Sequence, residues 1–171
     1  MKTFKDHSHV NGTYVSAKVN NVTLNKLDKW VSENGIKNAT DPTTYHSTIV
    51  YSRKGVPQVK DYNFKTPITG SIKEWKLFPT QNGTKALVLI VKSDDLEKYH
   101  EDTRKLYGAT WDYPDYHPHI TISYDHSGKV PDEIPNIPIT YDKIDIESLD
   151  PDFVPEKKKW RNFFQHYFGW L

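Results

Sequence analysis

Residues 45–51 (YHSTIVY) and residues 118–124 (PHITISY) share the pattern His-x-Thr-Ile-x-Tyr. Two copies of one strand-like stretch in a chain of 171 residues constrain the fold strongly, because each copy needs a comparable setting. Those settings repeat as well. Each copy follows a strand-like run, a helical run ending at a glycine, and a loop. The first helical run spaces Leu24, Leu27, Trp30 and Val31 along one face, with Asn21 or Thr23 as the candidate N-cap and Gly35 as the stop. The second starts at Ser93, places Asp94 and Asp95 in its first turn and Leu96, Tyr99, Thr103, Leu106 and Tyr107 on one side, and stops at Gly108. His46 and His119 lie the same number of residues beyond their glycines, so the chain reads as an internal duplication. The expected strands are 13–19, 45–52, 70–78, 85–92, 118–125 and 139–147, with 53–66 as loop. Prolines 131, 135, 138, 151 and 155 break the C-terminal region into short pieces.

Size and charge narrow the partners. A chain of this length with 36% apolar residues supports one compact domain, expected over residues 1–156, followed by a basic and aromatic tail or terminal helix at 157–171 (KKKWRNFFQHYFGWL). Charged residues make up 26% of the chain and nearly cancel, to a net +1, so no broad positive field exists for a long nucleic acid; a small anion in a local pocket fits better. Cysteine is absent, which removes thiolate nucleophiles and disulfide frameworks. No stretch approaches the roughly 18 consecutive apolar residues of a membrane span, and residues 1–10 lack the apolar run of a leader, so a cytoplasmic protein is expected.

Strand geometry assigns the chemistry. Side chains alternate faces with a period of two, so His46 and Thr48 are expected on one side and Ile49 and Tyr51 on the other, with the same division in the second copy. Two such strands related by a pseudo-twofold axis bring two imidazoles and two hydroxyls into one groove. Imidazole, with an ordinary pKa near 6.5, can serve as base in one copy and as acid in the other. The threonine hydroxyls suit the non-bridging oxygens of a phosphate. The cluster Tyr116-His117-Pro118-His119, with Asp115 or His126, also admits a metal-ligand reading, since His-x-His can present two imidazoles to one ion; the lack of an acidic partner beside His46 speaks against it. His7, His9, His100 and His166 are read as surface histidines.

Paired His-x-Thr strands in a duplicated domain of this size resemble the two-histidine (2H) phosphoesterase superfamily, over about residues 14–147. The resemblance implies a bilobal α+β fold, with two pseudo-symmetric antiparallel-sheet lobes and flanking helices around a central groove. It also implies metal-independent phosphodiester cleavage with no cofactor, and catalytic residues His46, Thr48, His119 and Thr121. Within the superfamily the chain is most similar to the phage anti-CBASS nucleases, which degrade the cyclic oligonucleotide signals of bacterial immunity. Tyr14, Trp75, Glu147 and Phe153 carry that narrower match, and it implies base stacking for the aromatic residues and a base-edge contact for Glu147. The partner implied is a cyclic oligonucleotide such as cyclic GMP-AMP or cyclic tri-AMP, in the cytoplasm of an infected bacterium. An RNA-end-processing 2′,3′-cyclic phosphodiesterase, a non-catalytic cyclic-nucleotide sponge and a scaffold that merely keeps the fold are the other readings.

Overall fold

The computed structural model describes residues 11–149. Phe153, the 157–171 tail, His7, His9 and His166 lie outside the described residues. Among the described residues six antiparallel strands and two α-helices follow one another as β1 (Gly12–Val19), α1 (Asn21–Glu33), β2 (His46–Ser52), β3 (Ile68–Pro79), β4 (Lys85–Lys92), α2 (Asp94–Tyr107), β5 (His119–Ser123) and β6 (Ile139–Leu149). The strand order is β2-β1-β6-β3-β4-β5. It consists of two three-stranded halves, each with a histidine motif on its outer strand, joined by the short pairing of Ile68–Gly70 with residues 139–141. This is the expected α+β, two-lobed architecture. Among the described residues no helix is long and apolar enough to cross a membrane.

The helices form where capping and periodicity coincide. The Asn20 side chain caps α1 by accepting from the Thr23 amide at 2.9 Å, so the cap is neither of the expected residues but the one before Asn21. Ser93 accepts from the Leu96 amide at 3.1 Å, and Gly108 ends α2 in the left-handed region at φ 70°. Both helices cover one face of the sheet. Leu27 and Val31 of α1 and Leu96 and Tyr99 of α2 share a core with Val15, Ala17, Val19, Leu87, Leu89 and Val91. Leu106 does not join them: it is 62% exposed, because the buried stripe of α2 runs through Leu96, Tyr99, His100 and Thr103 instead. His100 is likewise not a surface histidine. It is buried, stacks on Tyr116 with ring centroids 4.0 Å apart, and places Nδ1 2.7 Å from the Ile49 carbonyl.

The two outer strands meet. Ser47, on the core side of β2, donates its hydroxyl to the His119 carbonyl on β5 at 2.8 Å and accepts from the Tyr141 hydroxyl of β6 at 2.6 Å. All three groups are buried. Ser47→Ala leaves both the Tyr141 hydroxyl and the His119 carbonyl without this partner, at a cost of about 1–3 kcal/mol. Tyr141→Phe removes only the donor into Ser47. Urea unfolding of the two single variants and the double variant is expected to show a double-variant loss smaller than the sum of the singles, since the hydroxyls act as one unit.

Candidate active site

The face opposite the helices carries the motif histidines and threonines. His46 and Thr48 of β2 lie across from Lys18 and Ser16 of β1; His119 and Thr121 of β5 lie across from Ile90 and Val88 of β4. Each histidine is locked in the same way. His46 Nδ1 lies 2.7 Å from the Thr44 carbonyl and His119 Nδ1 lies 3.0 Å from the His117 carbonyl, in both cases two residues upstream. A carbonyl oxygen can only accept, so Nδ1 bears the proton and Nε2 carries the lone pair in both rings. The duplication therefore reaches the tautomer.

Burial sets the charge state. His46 is 7% and His119 8% exposed. Loss of hydration, the largest cause, pulls both imidazoles down to about 4. The carbonyl bonds oppose this in each case; Lys18 and His119 push His46 further down, and Asp145 pushes it up. Ser47, the residue after His46, bonds the His119 carbonyl at 2.8 Å, so the two motif histidines sit on strands in direct contact. Both rings are neutral at neutral pH.

Each motif strand is bulged at the same step. On β2, Val50 pairs with Val15 and Thr48 with Ser16, so Ile49 is the extra residue; on β5, Ser123 pairs with Leu87 and Thr121 with Val88, so Ile122 is the extra residue. Strict alternation, which places the motif tyrosines on the face away from the histidines, is thereby corrected. Ile49 and Val50 both turn into the core, as do Ile122 and Ser123. Tyr51 and Tyr124 return to the face of the histidines. The Thr121 hydroxyl reaches Tyr124, although burial and the neighbouring Tyr14 raise that phenol well above its ordinary pKa. Tyr14 does the same for the other motif, with its hydroxyl 3.2 Å from Thr48 Oγ1 and its ring edge-on to His46 at 6.5 Å. A phenol that stays protonated can donate to threonine Oγ and turn the threonine proton toward a phosphoryl oxygen.

Two carbonyls of β2, at the bulge and next to it, take side-chain partners from outside the ladder. The Tyr116 hydroxyl donates to the Thr48 carbonyl at 2.6 Å, and the stacked His100 ring donates to that of Ile49. Their nearness to the motif has no sequence signal, because it depends on the middle of α2 and the loop after it packing against an edge strand.

The remaining sequence candidates divide. Tyr14 joins the motif residues but is buried against them, and Glu147 stands beside it, paired across β1 and β6 and exposed. Trp75 is on the other face: it pairs with Leu89, packs 5.8 Å from Trp30, and donates its indole N–H to the Glu133 carbonyl at 2.9 Å. The structure does not bring it to the histidines. The His117 side chain is exposed, its carbonyl serves His119, and among the described residues no group of three or more potential ligands is arranged around a common point for a metal.

Comparison with known proteins bears on this arrangement. Residues 11–156 match the family described as Anti-CBASS protein Acb1. The Acb1 of Enterobacteria phage T4 is 40% identical over 124 residues, covering 72% of this chain and 77% of that protein. The Acb1 of Vibrio phage KVP40 is 36% identical over 114 residues, covering 66% and 72%. Among solved structures, E. coli LigT complexed with ATP superimposes with a TM-score of 0.56 at 10% identity, covering 81% of this chain and 87% of that one. TT0787 of Thermus thermophilus gives 0.53 at 11%, covering 79% and 86%. The structural likeness establishes the fold and the sequence likeness the kinship: the chain belongs to the Anti-CBASS protein Acb1 family and has the 2H phosphoesterase fold its paired motifs led us to expect.

Proposed function

We propose that the protein is a metal-independent phosphodiesterase that cleaves 3′–5′ bonds of cyclic di- and trinucleotide immune signals, such as cyclic GMP-AMP or cyclic tri-AMP. The observation that carries the reading is the matched pair of buried imidazoles, each held by an Nδ1–H bond to the carbonyl two residues back and each beside a threonine hydroxyl. Family membership supports the choice of substrate.

In this reading one histidine takes the proton of the ribose 2′-OH on Nε2 as O2′ bonds to phosphorus. The P–O5′ bond breaks, and the other histidine delivers its proton to O5′. The product is a 2′,3′-cyclic phosphate, which water opens to a 3′-phosphate. Thr48 and Thr121 donate to the non-bridging oxygens, where charge builds. Since burial keeps both rings neutral in the free protein, the acid acquires its proton together with the anionic substrate, whose charge offsets the lost hydration.

Incubation in chelator with cyclic GMP-AMP, cyclic tri-AMP and a linear RNA bearing a 2′,3′-cyclic end, followed by mass analysis, tests the proposal. Cleavage of the cyclic signals by wild type is expected, with His46→Ala and His119→Ala each slower by about 10²–10⁴ and Thr121→Val by about 10² or more. A 2′-deoxy analogue is expected to bind and resist cleavage. Recovery of intact ligand from a tight complex would indicate a sponge, and turnover of the RNA end alone would indicate end processing.

Protonation also sets the acid stability. Both histidines have folded pKa values of about 4, below the ordinary 6.5 of an unfolded chain, so between these values the unfolded state binds more protons. Stability is unaffected above pH 6.5 and falls as the pH drops toward 4, by up to about 3 kcal/mol per histidine. His46→Gln/His119→Gln is expected to flatten the fall of Tm over this window in thermal melts.

A further inference from the structure

The two halves of the groove repeat in backbone but not in charge. In the first half, His46 of β2 lies directly across from Lys18 of β1, which lies directly across from Lys143 of β6. These three residues form one row on the groove face. With strands spaced about 4.8 Å apart, the Lys143 backbone is roughly 10 Å from that of His46. Asp145, two residues along β6 and so on the same face, ties the lysines together: its carboxylate is 3.8 Å from Lys18 Nζ and 3.3 Å from Lys143 Nζ. Lys18 and Asp145 both influence the His46 ring, which places the cluster beside the reacting space. In the second half, the corresponding row is His119, Ile90 and Glu74. Its neighbours Val88, Ala86 and Phe78 form a small apolar cluster, and Phe78 lies edge-on to His119 at 5.9 Å. On that side Lys76 is tied to Glu74 at 3.6 Å, and Lys92, two residues beyond Ile90 on β4, to Asp94 at 3.8 Å. At the far end of β6, Glu147 gives the Tyr14 end of the first half a negative charge.

An anion longer than one phosphate therefore has one favourable direction across the groove. We propose that Lys18 and Lys143, gathered by Asp145, form a subsite for a second phosphate of the substrate, one nucleotide away from the phosphate between the histidines. The inference rests on the phosphodiesterase reading above and adds a specificity to it: the site selects nucleotides carrying a further phosphate over a lone phosphodiester. Each ammonium has three donors, so Asp145 occupies part of the pair and leaves donors for a phosphate. Asp145 also limits the net positive charge of the cluster, which sets opposite signs for two variants. Lys143→Gln removes a cation from the subsite, and Asp145→Asn removes its counter-charge.

The test compares a cyclic dinucleotide with adenylyl-(3′→5′)-adenosine, which has a single phosphate, using the full chain. For Lys143→Gln the ratio of kcat/KM for the cyclic dinucleotide to that for the dinucleoside monophosphate is expected to fall about tenfold, carried by KM, as for one charge-assisted contact. For Asp145→Asn the ratio is expected to rise. The wild-type preference for the cyclic dinucleotide is expected to weaken with added salt, and to do so less in Lys143→Gln. Equal effects of a variant on both substrates, or unchanged ratios, overturn the subsite. Absence of turnover by wild type overturns the phosphodiesterase reading instead; dissociation constants of the two ligands for the His46→Ala/His119→Ala protein and its Lys143→Gln derivative then decide the subsite by the same ratio. Binding of neither ligand overturns both.

Discussion

Ser47 occupies the point on which the site depends. Its hydroxyl joins the His119 carbonyl on one outer strand to the Tyr141 hydroxyl of the other half, deep in the core, one residue away from His46. A six-stranded sheet keeps its outer strands far apart if it stays open; here they come together at the level of the two histidines. The joint is made behind the sheet, on the side the helices cover, so the front remains available to a ligand. Neither half contains two motif histidines by itself, and the closure of the sheet is what brings the pair together.

Bringing sheet edges into a functional site leaves unpaired backbone groups, and the molecule satisfies them from both flanks. Tyr116 and His100 serve β2, while on β5 the amide of Thr40 reaches the Ile122 carbonyl at 2.7 Å, and the Ser123 side chain in turn donates to the Asn38 carbonyl of that loop at 2.8 Å. These contacts fix the two strands that carry the paired imidazoles and threonine hydroxyls. The rigidity of the site thus comes from ordinary backbone accounting as much as from the motif residues themselves.

The paired motif, the strand and helix order, and the capping of α2 by Ser93 and Gly108 were legible in the sequence because each depends on local chemistry. So was the juxtaposition of His46 with His119, since a duplicated unit implies a symmetric partner. Legibility ended where long-range packing decides. Strict alternation put Tyr51 and Tyr124 on the wrong face, because a bulge is a property of pairing between strands and leaves no mark in the strand that carries it. His100 looked solvated on composition, yet it lies on the buried stripe of α2 beside an edge carbonyl. Trp75 followed the family pattern but sits on a β3 face that alternation assigns to the core, against Trp30. Lys18 and Lys143, far apart in sequence, share a row only through the β1–β6 register.

The twin bulges impose a rule on how this chain can change. Substitution at Ile49 or Ile122 alters a packed side chain, but removal of either residue restores a flat ladder and reverses the orientation of everything beyond it. Length is therefore guarded more closely than identity at these two steps. The irregularity stands at the same place in both copies, so it belongs to the repeating unit itself, together with the histidine and the threonine. The two halves thus share a kink in the backbone and part company only in the charges they set around it.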